Sequence, residues 1–231
     1  MPTVVVTGTD HGLGRAFVEE FGRRGFHVFA GSHALAKRRE GPREISPALT
    51  ELPLDVTDPA LVKKLAEEVA ARAAGLDILV NNAGINPEKG VPIEALDFEV
   101  VKTVLDVNSL GPLRMTQALL PLLERGKEKT IVNISSEAGS LATCGRSSWF
   151  GYCMSKAALN MQTRILENHL SARGFHVFSV HPGWLKTPMA GFEGPVAPED
   201  SAARIAELAL DRKKAHDPTG FAEWDGTTHP W

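Results

Sequence analysis

The sequence predicts a single α/β domain built as a doubly wound parallel sheet of about seven strands, with helices on both faces. Three observations predict it. Short β-branched runs alternate with longer amphipathic ones along the whole chain. The first apolar run ends in a glycine-rich turn that opens a helix. No break in composition divides the 231 residues, so residues 1–231 read as one unit.

Each element has its own signal. Val4, Val5 and Val6 make a continuous apolar run within residues 3–7, as a strand buried on both faces requires. Residues 12–23 then read as a helix and 27–30 as a second strand. Residues 32–46 are polar and basic and contain Gly41 and Pro42, which predicts a short helix or loop. Residues 49–54 predict a weak third strand, since Pro53 lies inside it. Asp58 is a good N-cap for the next helix, Pro59 suits its first position and Gly75 its end. Leu61, Leu65, Val69 and Ala73 share a face of that helix. Ile78, Leu79 and Val80 form the fourth strand. A long helix over 98–123, a fifth strand over 130–135, a helix over 152–170 and a sixth strand over 176–180 follow. A helix over 202–210 and a strand over 220–224 close the series. Sites on such sheets lie at the carboxyl ends of the strands.

Composition excludes several function classes. Hydrophobic residues make up 43% and charged residues 23%, as in an ordinary globular protein. A net charge of −3 gives no electrostatic pull toward nucleic acid or an anionic membrane, and neither is an expected partner. No apolar run is long enough to span a bilayer. No charged segment followed by an apolar run precedes the first strand, so no signal peptide is expected. The two cysteines, Cys144 and Cys153, have no CxxC spacing and no nearby histidine cluster. They argue against a disulfide framework or a metal site and fit a reducing cytoplasm.

The first strand runs into Thr7-Gly8-Thr9-Asp10-His11-Gly12-Leu13-Gly14. Glycines at this spacing permit a tight turn and a close backbone approach to a pyrophosphate. The helix that follows aims free N–H groups and the positive end of its dipole at that phosphate. A plain tight turn would need no helix directly behind it. The domain is therefore expected to be of Rossmann type and to bind a dinucleotide. An acid at the end of the second strand would bind the ribose of NAD and repel the 2′-phosphate of NADP. This chain has Ala30-Gly31-Ser32-His33 there, followed by Lys37, Arg38 and Arg39, with His11 in the turn. Such a basic run usually faces solvent, but the missing acid favours NADP(H) over NAD(H).

The chain has one tyrosine, in Tyr152-Cys153-Met154-Ser155-Lys156. A Tyr and a Lys four apart share a helix face. A phenol with a pKa near ~10 is a poor base at neutral pH, and a nearby ammonium is expected to lower it. Such pairs also occur by chance on surfaces, so the neighbours decide. Ser136 ends the fifth strand, where a hydroxyl can reach a substrate carbonyl, while Ser135 beside it suits turn chemistry. Asn108 lies four residues before Pro112, which has no N–H to give the Asn108 carbonyl. The carbonyl so freed predicts a bend and an anchor for an ordered water. A bland proline kink is the alternative.

Together these residues resemble the short-chain dehydrogenase/reductase family. Residues 7–14 are similar to its TGxxxGxG turn, and Asn81-Asn82-Ala83-Gly84 to its NNAG segment. Asn108, Ser136, Tyr152 and Lys156 match its catalytic tetrad in order. His181-Pro182-Gly183 with Thr187 resembles the segment flanking nicotinamide, and Asp55-Val56 the pair contacting adenine. Within the family, Ser155 to Asn160, Gly183 to Thr187 and the ending from Glu223 to Trp231 look like the C-factor and Sniffer-type carbonyl reductase branch. The resemblance implies reversible hydride transfer between a nicotinamide and a carbonyl or alcohol carbon. It implies that Tyr152 supplies the proton and Ser136 polarises the oxygen. It also implies that Lys156 tunes Tyr152 and holds ribose, and that Asn108 anchors a relay water.

The chain departs from the family pattern in two places. His33 stands where NADP enzymes often carry arginine, and the spacing from Ser136 to Tyr152 is longer than in many members. Trp149, Phe150, Trp184, Met189 and Phe192 are candidates for an apolar substrate pocket, with ordinary packing as the alternative. Leu113, Leu119, Leu120, Met161 and Ile165 exceed what one buried stripe needs, and family members pair these helices across a two-fold axis. A homodimer or homotetramer is expected. The competing function is a dinucleotide-binding signalling or regulatory protein of the C-factor kind with little turnover. An epimerase or dehydratase on the same cofactor would call for a longer chain with an added substrate domain.

Overall fold

The structure, a computed structural model, describes residues 1–211 and 220–231. Its centre is β1 (Thr3–Thr7), whose five residues are all buried. β1 pairs in parallel with β2 (His27–Ser32) on one side and β5 (Ile78–Asn81) on the other. From β2 the sheet continues through β4 (Leu49–Pro53) to β3 (Arg43–Ser46). From β5 it continues through β6 (Thr130–Ile134) and β7 (His176–His181) to β8 (Phe221–Glu223). The order is β3-β4-β2-β1-β5-β6-β7-β8. The chain thus builds outward from β1 one way, then crosses over and builds the other way. That reversal leaves a crevice above the carboxyl ends of β1 and β5.

Side-chain alternation along β1 explains why both faces need helices. Val4 and Val6 enter one core with Phe17 and Phe21 of α1 (Gly12–Arg23) and Ile205 and Ala206 of α7 (Pro198–Leu210). Val5 enters the opposite core with Leu65 and Val69 of α3 (Pro59–Arg72) and Met115 and Leu119 of α5 (Gly111–Leu123). Fully burying a side chain of this size contributes about 1.5–3 kcal/mol, so the two cores hold the layers together.

Among the described residues eight strands form where about seven were expected. The extra one is β3, from the segment predicted as a short helix or loop. That segment supplies both α2 (His33–Arg38) and β3. β3 pairs antiparallel with β4 at the sheet edge and is exposed throughout, so no apolar pattern marks it. Pro53 sits at the last position of β4, which leaves that strand intact. In α3, Asp58 caps the N-terminus as expected, but the helix ends at Arg72, before Gly75. The inward face uses Val62 rather than Leu61. The long helix predicted over 98–123 is divided. α4 (Phe98–Leu105) leads into a π-turn (Asp106–Leu110), in which the Gly111 N–H bonds the Asp106 carbonyl, and α5 follows. α6 runs Phe150–Leu170, two residues earlier than expected. No helix among the described residues is long and apolar enough to cross a membrane.

The lower edge of the sheet is tied by one buried carboxylate. Asp77 accepts from the Thr3 N–H at 2.8 Å, the Thr3 hydroxyl at 3.2 Å and the Lys127 N–H at 2.8 Å. It joins the start of β1 to the turns before β5 and β6. Hydrogen bonds to a charged acceptor are worth about 1.5–3 kcal/mol each, and their loss leaves buried donors unmatched. Asp77→Ala should therefore destabilise the fold by about 3 kcal/mol or more. Asp77→Asn should cost less. Urea unfolding read by tryptophan fluorescence checks both.

Candidate active site

The chain leaves β1 at Thr7 and turns at Gly8 with φ +69°, a conformation that glycine adopts without strain. A Cβ on Gly14 would stand 2.6 Å from Asn82 Nδ2, so only glycine lets α1 start this close to the end of β5. The Asn82 amide donates to the Thr7 carbonyl at 2.8 Å and the Gly8 carbonyl at 3.1 Å. The Asn82 and Ala83 N–H groups donate to Thr7 Oγ1 at 3.0 and 2.9 Å. The glycine turn and the Asn-Ala-Gly turn are thereby one surface. No side chain caps α1. Its first N–H groups and the positive end of its dipole stay available to an anion.

A cleft of ≈ 450 Å³ lies on this surface. Gly8, Asp10, His11, Gly12, Leu13 and Gly14 line it along the first turn. His33, Asp55 and Val56 line it on the β2 side, and Asn82, Ala83 and Gly84 line it after β5. Tyr152, Lys156, Pro182 and Thr187 line it on the β6–β7 side. The expected dinucleotide residues thus converge, with one exception. Gly183 does not line the cleft. It turns the chain at φ +83°, and a Cβ there would stand 3.1 Å from the Trp224 ring. Thr103, Val107, Ile85, Ile134 and Leu185, which the sequence motifs do not mark, also line the cleft. Thr103 and Val107 are four apart just before Asn108, and that helical spacing could have revealed a shared face.

The β2 side differs in detail from expectation. The Asp10 carboxylate is engaged at the start of α2, accepting from Ser32 Oγ at 2.5 Å and from the His33 and Ala34 N–H groups at 3.1 Å each. It orients the turn that carries His33. His33 Nδ1 stands 3.8 Å from Asp55 Oδ2. Burial raises the Asp55 carboxyl, but hydrogen bonds from Thr57 outweigh it, helped by the charges of His33 and Lys37, and hold it below its ordinary range. Lys37, Arg38 and Arg39 do not line the cleft. Arg38 instead pairs with Glu40 at 2.6 Å. Among the residues lining the cleft here, the basic side chains are His11 and His33.

Tyr152 stands in the first turn of α6 and lines the cleft, with Ser136 near enough to act on its phenol. The Ser136 hydroxyl accepts from the Ala138 N–H at 3.1 Å and lies 3.1 Å from Glu137 Oε2. Ser135 is committed elsewhere, donating to Asn160 at 2.6 Å. Lys156 lies one turn below Tyr152, with its ammonium 5.7 Å from the ring centroid and donating to the Ile134 carbonyl at 2.8 Å. The expectation that this ammonium lowers the phenol is not met in the free protein. Burial pushes Tyr152 up to about 12, against the lowering effect of Ser136. Burial also brings Lys156 down to about 8. Desolvation outweighs the attraction between the two groups.

Asn108 is fully buried in the π-turn and does not reach the cleft. Its amide donates to the Ile85 carbonyl at 2.9 Å and accepts from the Ile85 N–H at 2.8 Å. It also donates to Ser155 Oγ at 3.0 Å, and Ser155 donates to the Tyr152 carbonyl at 2.7 Å. The sequence pointed to the Asn108 main chain, whereas the contacts seen here are those of its side chain. Trp149, at φ +66°, sets its ring edge-on to Tyr152 at 6.0 Å. Met189 lines the cleft, while Trp184 and Phe192 are exposed.

The chain also matches known proteins. The short chain dehydrogenase family profile covers residues 2–195. Human retinol dehydrogenase 5 is 36% identical over 192 residues, 82% of this chain and 58% of that protein. The chain thus spans well under two thirds of that relative's length. The C-signal protein of Myxococcus xanthus is 33% identical over 156 residues, covering 68% of this chain and 93% of that one. NADPH-bound carbonyl reductase from chicken fatty liver superposes with a TM-score of 0.85 at 31% identity, over 100% of this chain and 99% of that one. Carbonyl reductase Sniffer of D. melanogaster superposes at 0.85 with 27% identity over the full length of both. With a Rossmann-like sheet, a matching family profile and these relatives, the chain belongs to the short-chain dehydrogenase family and has C-signal and Sniffer-type proteins among its relatives.

Proposed function

We propose that this chain is a carbonyl reductase that moves a hydride reversibly between NADP(H) and an aldehyde, ketone or alcohol, working as one domain over residues 1–231 in the cytoplasm. The observation that carries this reading is that Tyr152 and Lys156 line the β6–β7 side of the cleft one helical turn apart, with the ammonium 5.7 Å from the phenol ring. The uncapped start of α1 and the joined glycine turns suit the diphosphate of a dinucleotide. When bound, that cofactor supplies the hydride. The phenol of Tyr152 is protonated at neutral pH, so it is in the form that donates a proton to a reduced carbonyl oxygen. Ser136 holds that oxygen, Lys156 holds ribose hydroxyls, and the turn at Asn108 anchors the water that resupplies the proton. The missing acid after β2, together with His11 and His33, favours the 2′-phosphate of NADP(H). The NADPH in the chicken carbonyl reductase supports the same choice.

The C-signal relative favours a second reading, in which the chain binds a dinucleotide and signals with little turnover. The convergence of Ser136, Tyr152 and Lys156 speaks for chemistry, because a sensor needs the glycine turn without them. NADPH oxidation against a panel of aldehydes, ketones and diketones separates the readings. Turnover well above the cofactor's background oxidation is expected, and none across the panel would defeat the enzyme reading.

Tyr152→Phe should retain cofactor affinity and lose turnover by ~100- to 10,000-fold, the usual worth of general acid–base catalysis. Stopped-flow NADPH oxidation measures it. No second tyrosine exists to substitute.

The cofactor arm has a pH signature. NADPH should bind more tightly than NADH in tryptophan-fluorescence titrations. Lys156 is mostly charged below about 8 and mostly neutral above it in the free protein. If the ammonium holds ribose, NADPH affinity should fall as pH rises through that value, and Lys156→Met should flatten the dependence. Carbonyl reduction should stay near full rate at neutral pH, since Tyr152 keeps its proton up to about 12. Alcohol oxidation, which needs the phenolate, should rise with pH.

Assembly is part of the proposal. Leu113, Met161 and Ile165 are 43%, 63% and 58% exposed on α5 and α6, whereas Leu119 belongs to the chain's own core. We expect this face to be covered by a second copy in a homodimer or homotetramer. Light scattering at micromolar concentration should give at least twice the chain mass, and Met161→Glu with Ile165→Glu should shift it to monomer.

A further inference from the structure

The Ser136 hydroxyl has one proton to give, and in the free protein a carboxylate competes for it. Ser136 Oγ lies 3.1 Å from Glu137 Oε2. The other carboxylate oxygen of Glu137 accepts from Arg146 at 2.5 Å. The two contacts are unequal. A hydroxyl bonded to a carboxylate normally closes to about 2.5–2.7 Å, so the contact with Ser136 is loose, whereas the Arg146 bond is short and charge-assisted. The pair is partly shielded, its Arg146 and Glu137 side chains being 30% and 35% exposed. Arg146 is itself held. Its guanidinium stands 4.8 Å from the centre of the Trp149 ring, within cation–π reach. Trp149 takes a left-handed conformation, φ +66°, at the start of α6, which a large side chain rarely adopts. Its ring stands edge-on to Tyr152 at 6.0 Å. A continuous frame thus runs from Ser136 through Glu137, Arg146 and Trp149 to Tyr152.

We propose that Arg146 is a positioning residue for carbonyl reduction: by holding the Glu137 carboxylate, it leaves the Ser136 proton free to turn to the substrate oxygen. The proposal rests on the carbonyl reductase reading of the site. The physical argument is a competition between acceptors. An ionised carboxylate is a stronger acceptor than the oxygen of a neutral aldehyde or ketone. Without Arg146, Glu137 would close on Ser136 and keep that proton. Ser136 has no second proton to offer, and its oxygen already accepts from the Ala138 N–H at 3.1 Å. The guanidinium engages the carboxylate and so weakens its hold on the hydroxyl. The same cation opposes the effect of the carboxylate on the phenol, since Glu137 raises Tyr152 and Arg146 lowers it. The titratable and charged groups facing Tyr152 are Glu137 after β6, Arg146 on the loop, and Cys153 and Lys156 on α6.

The test compares Arg146→Met, Arg146→Lys, Glu137→Gln and the double variant Arg146→Met with Glu137→Gln, each in the whole protein. The first readout is kcat/KM for carbonyl reduction with NADPH, taken beside the melting temperature. Arg146→Met should lose about tenfold or more, since a misplaced catalytic group costs up to about 100-fold. Arg146→Lys keeps the charge without the planar fork and should lose less. Glu137→Gln should also lose less, because a neutral amide competes weakly for the Ser136 proton. The double variant should recover from the Arg146→Met value toward that of Glu137→Gln. Wild-type activity in Arg146→Met, or a double variant at least as impaired as Arg146→Met, would overturn the proposal. The second readout needs no turnover. With one tyrosine in the chain, ultraviolet absorbance reports the Tyr152 phenolate alone. At an alkaline pH where circular dichroism shows every variant folded, Arg146→Met should lower the phenolate fraction and Glu137→Gln should raise it. A fraction that neither change moves would overturn the proposal too, because the pair would then not stand beside the phenol. Opposite shifts in a chain that reduces no carbonyl would defeat the carbonyl reductase reading and leave the frame from Ser136 to Tyr152 standing.

Discussion

The amide of Asn108 is the point on which the candidate site depends. It pairs with both polar groups of the Ile85 backbone and reaches Ser155 with its remaining proton. Three elements meet there: the segment leaving β5, the π-turn between α4 and α5, and α6. Each brings something different to the cleft. The first brings Gly84, the second Val107, and the third Tyr152 and Lys156. A buried amide with unmet donors would cost about 1–3 kcal/mol per group, so satisfying all of them in one place fixes the relative positions of these elements. The π-turn makes this possible. A regular helix through 106–110 would continue straight from α4 into α5. The wider turn instead absorbs the N–H that Pro112 lacks and carries Asn108 inward. Gln162 of α6 reinforces the same point, its amide bridging the Ser109 carbonyl and the Leu113 N–H across the break in the ladder.

Much of this was legible in the sequence, because two of its signals are local. The alternation of β-branched and amphipathic runs reflects burial, which acts on every strand and helix alike. The glycine turn reflects steric limits that a single residue type satisfies. Both survive into the structure. What escaped is what depends on partners distant in sequence. β3 has no buried face, so its strand state comes only from pairing with β4, which a linear pattern does not report. The face of α3 turned on Val62 rather than Leu61 because the sheet beneath it sets the helix orientation.

The site shows the same division. Proline placed the helix break correctly, since a missing N–H is a property of one residue. That the side chain of Asn108 would grip Ile85, 23 positions earlier, is a property of the fold. Likewise the missing acid after β2 was visible, but the fate of the basic run was not. Arg38 has Glu40 beside it, and it takes that partner rather than the cleft. Asp10, read as part of a phosphate turn, spends its carboxylate on the start of α2. It acts on the cofactor side of the cleft through His33, which it positions.

The relation between Tyr152 and Lys156 was expected to be one of charge helping charge, and the structure shows why it is not. Lys156 is buried and Tyr152 is half-buried where both line the cleft. In such a medium the cost of holding a charge outweighs a neighbour's attraction at this distance, so each group moves toward its neutral form. Nearby charges adjust the result. Glu137 raises the phenol further and Arg146 lowers it, and the two are bonded to each other. The long loop after Ser136 therefore brings its own charge to bear on the tyrosine, and its cation partly offsets the carboxylate that Ser136 also touches. A phenol kept protonated, with a serine hydroxyl against it and an ammonium that loses its proton near 8, is arranged to give a proton rather than to take one. That asymmetry, more than the presence of four matching residues, is the physical ground for reading the site as one that reduces.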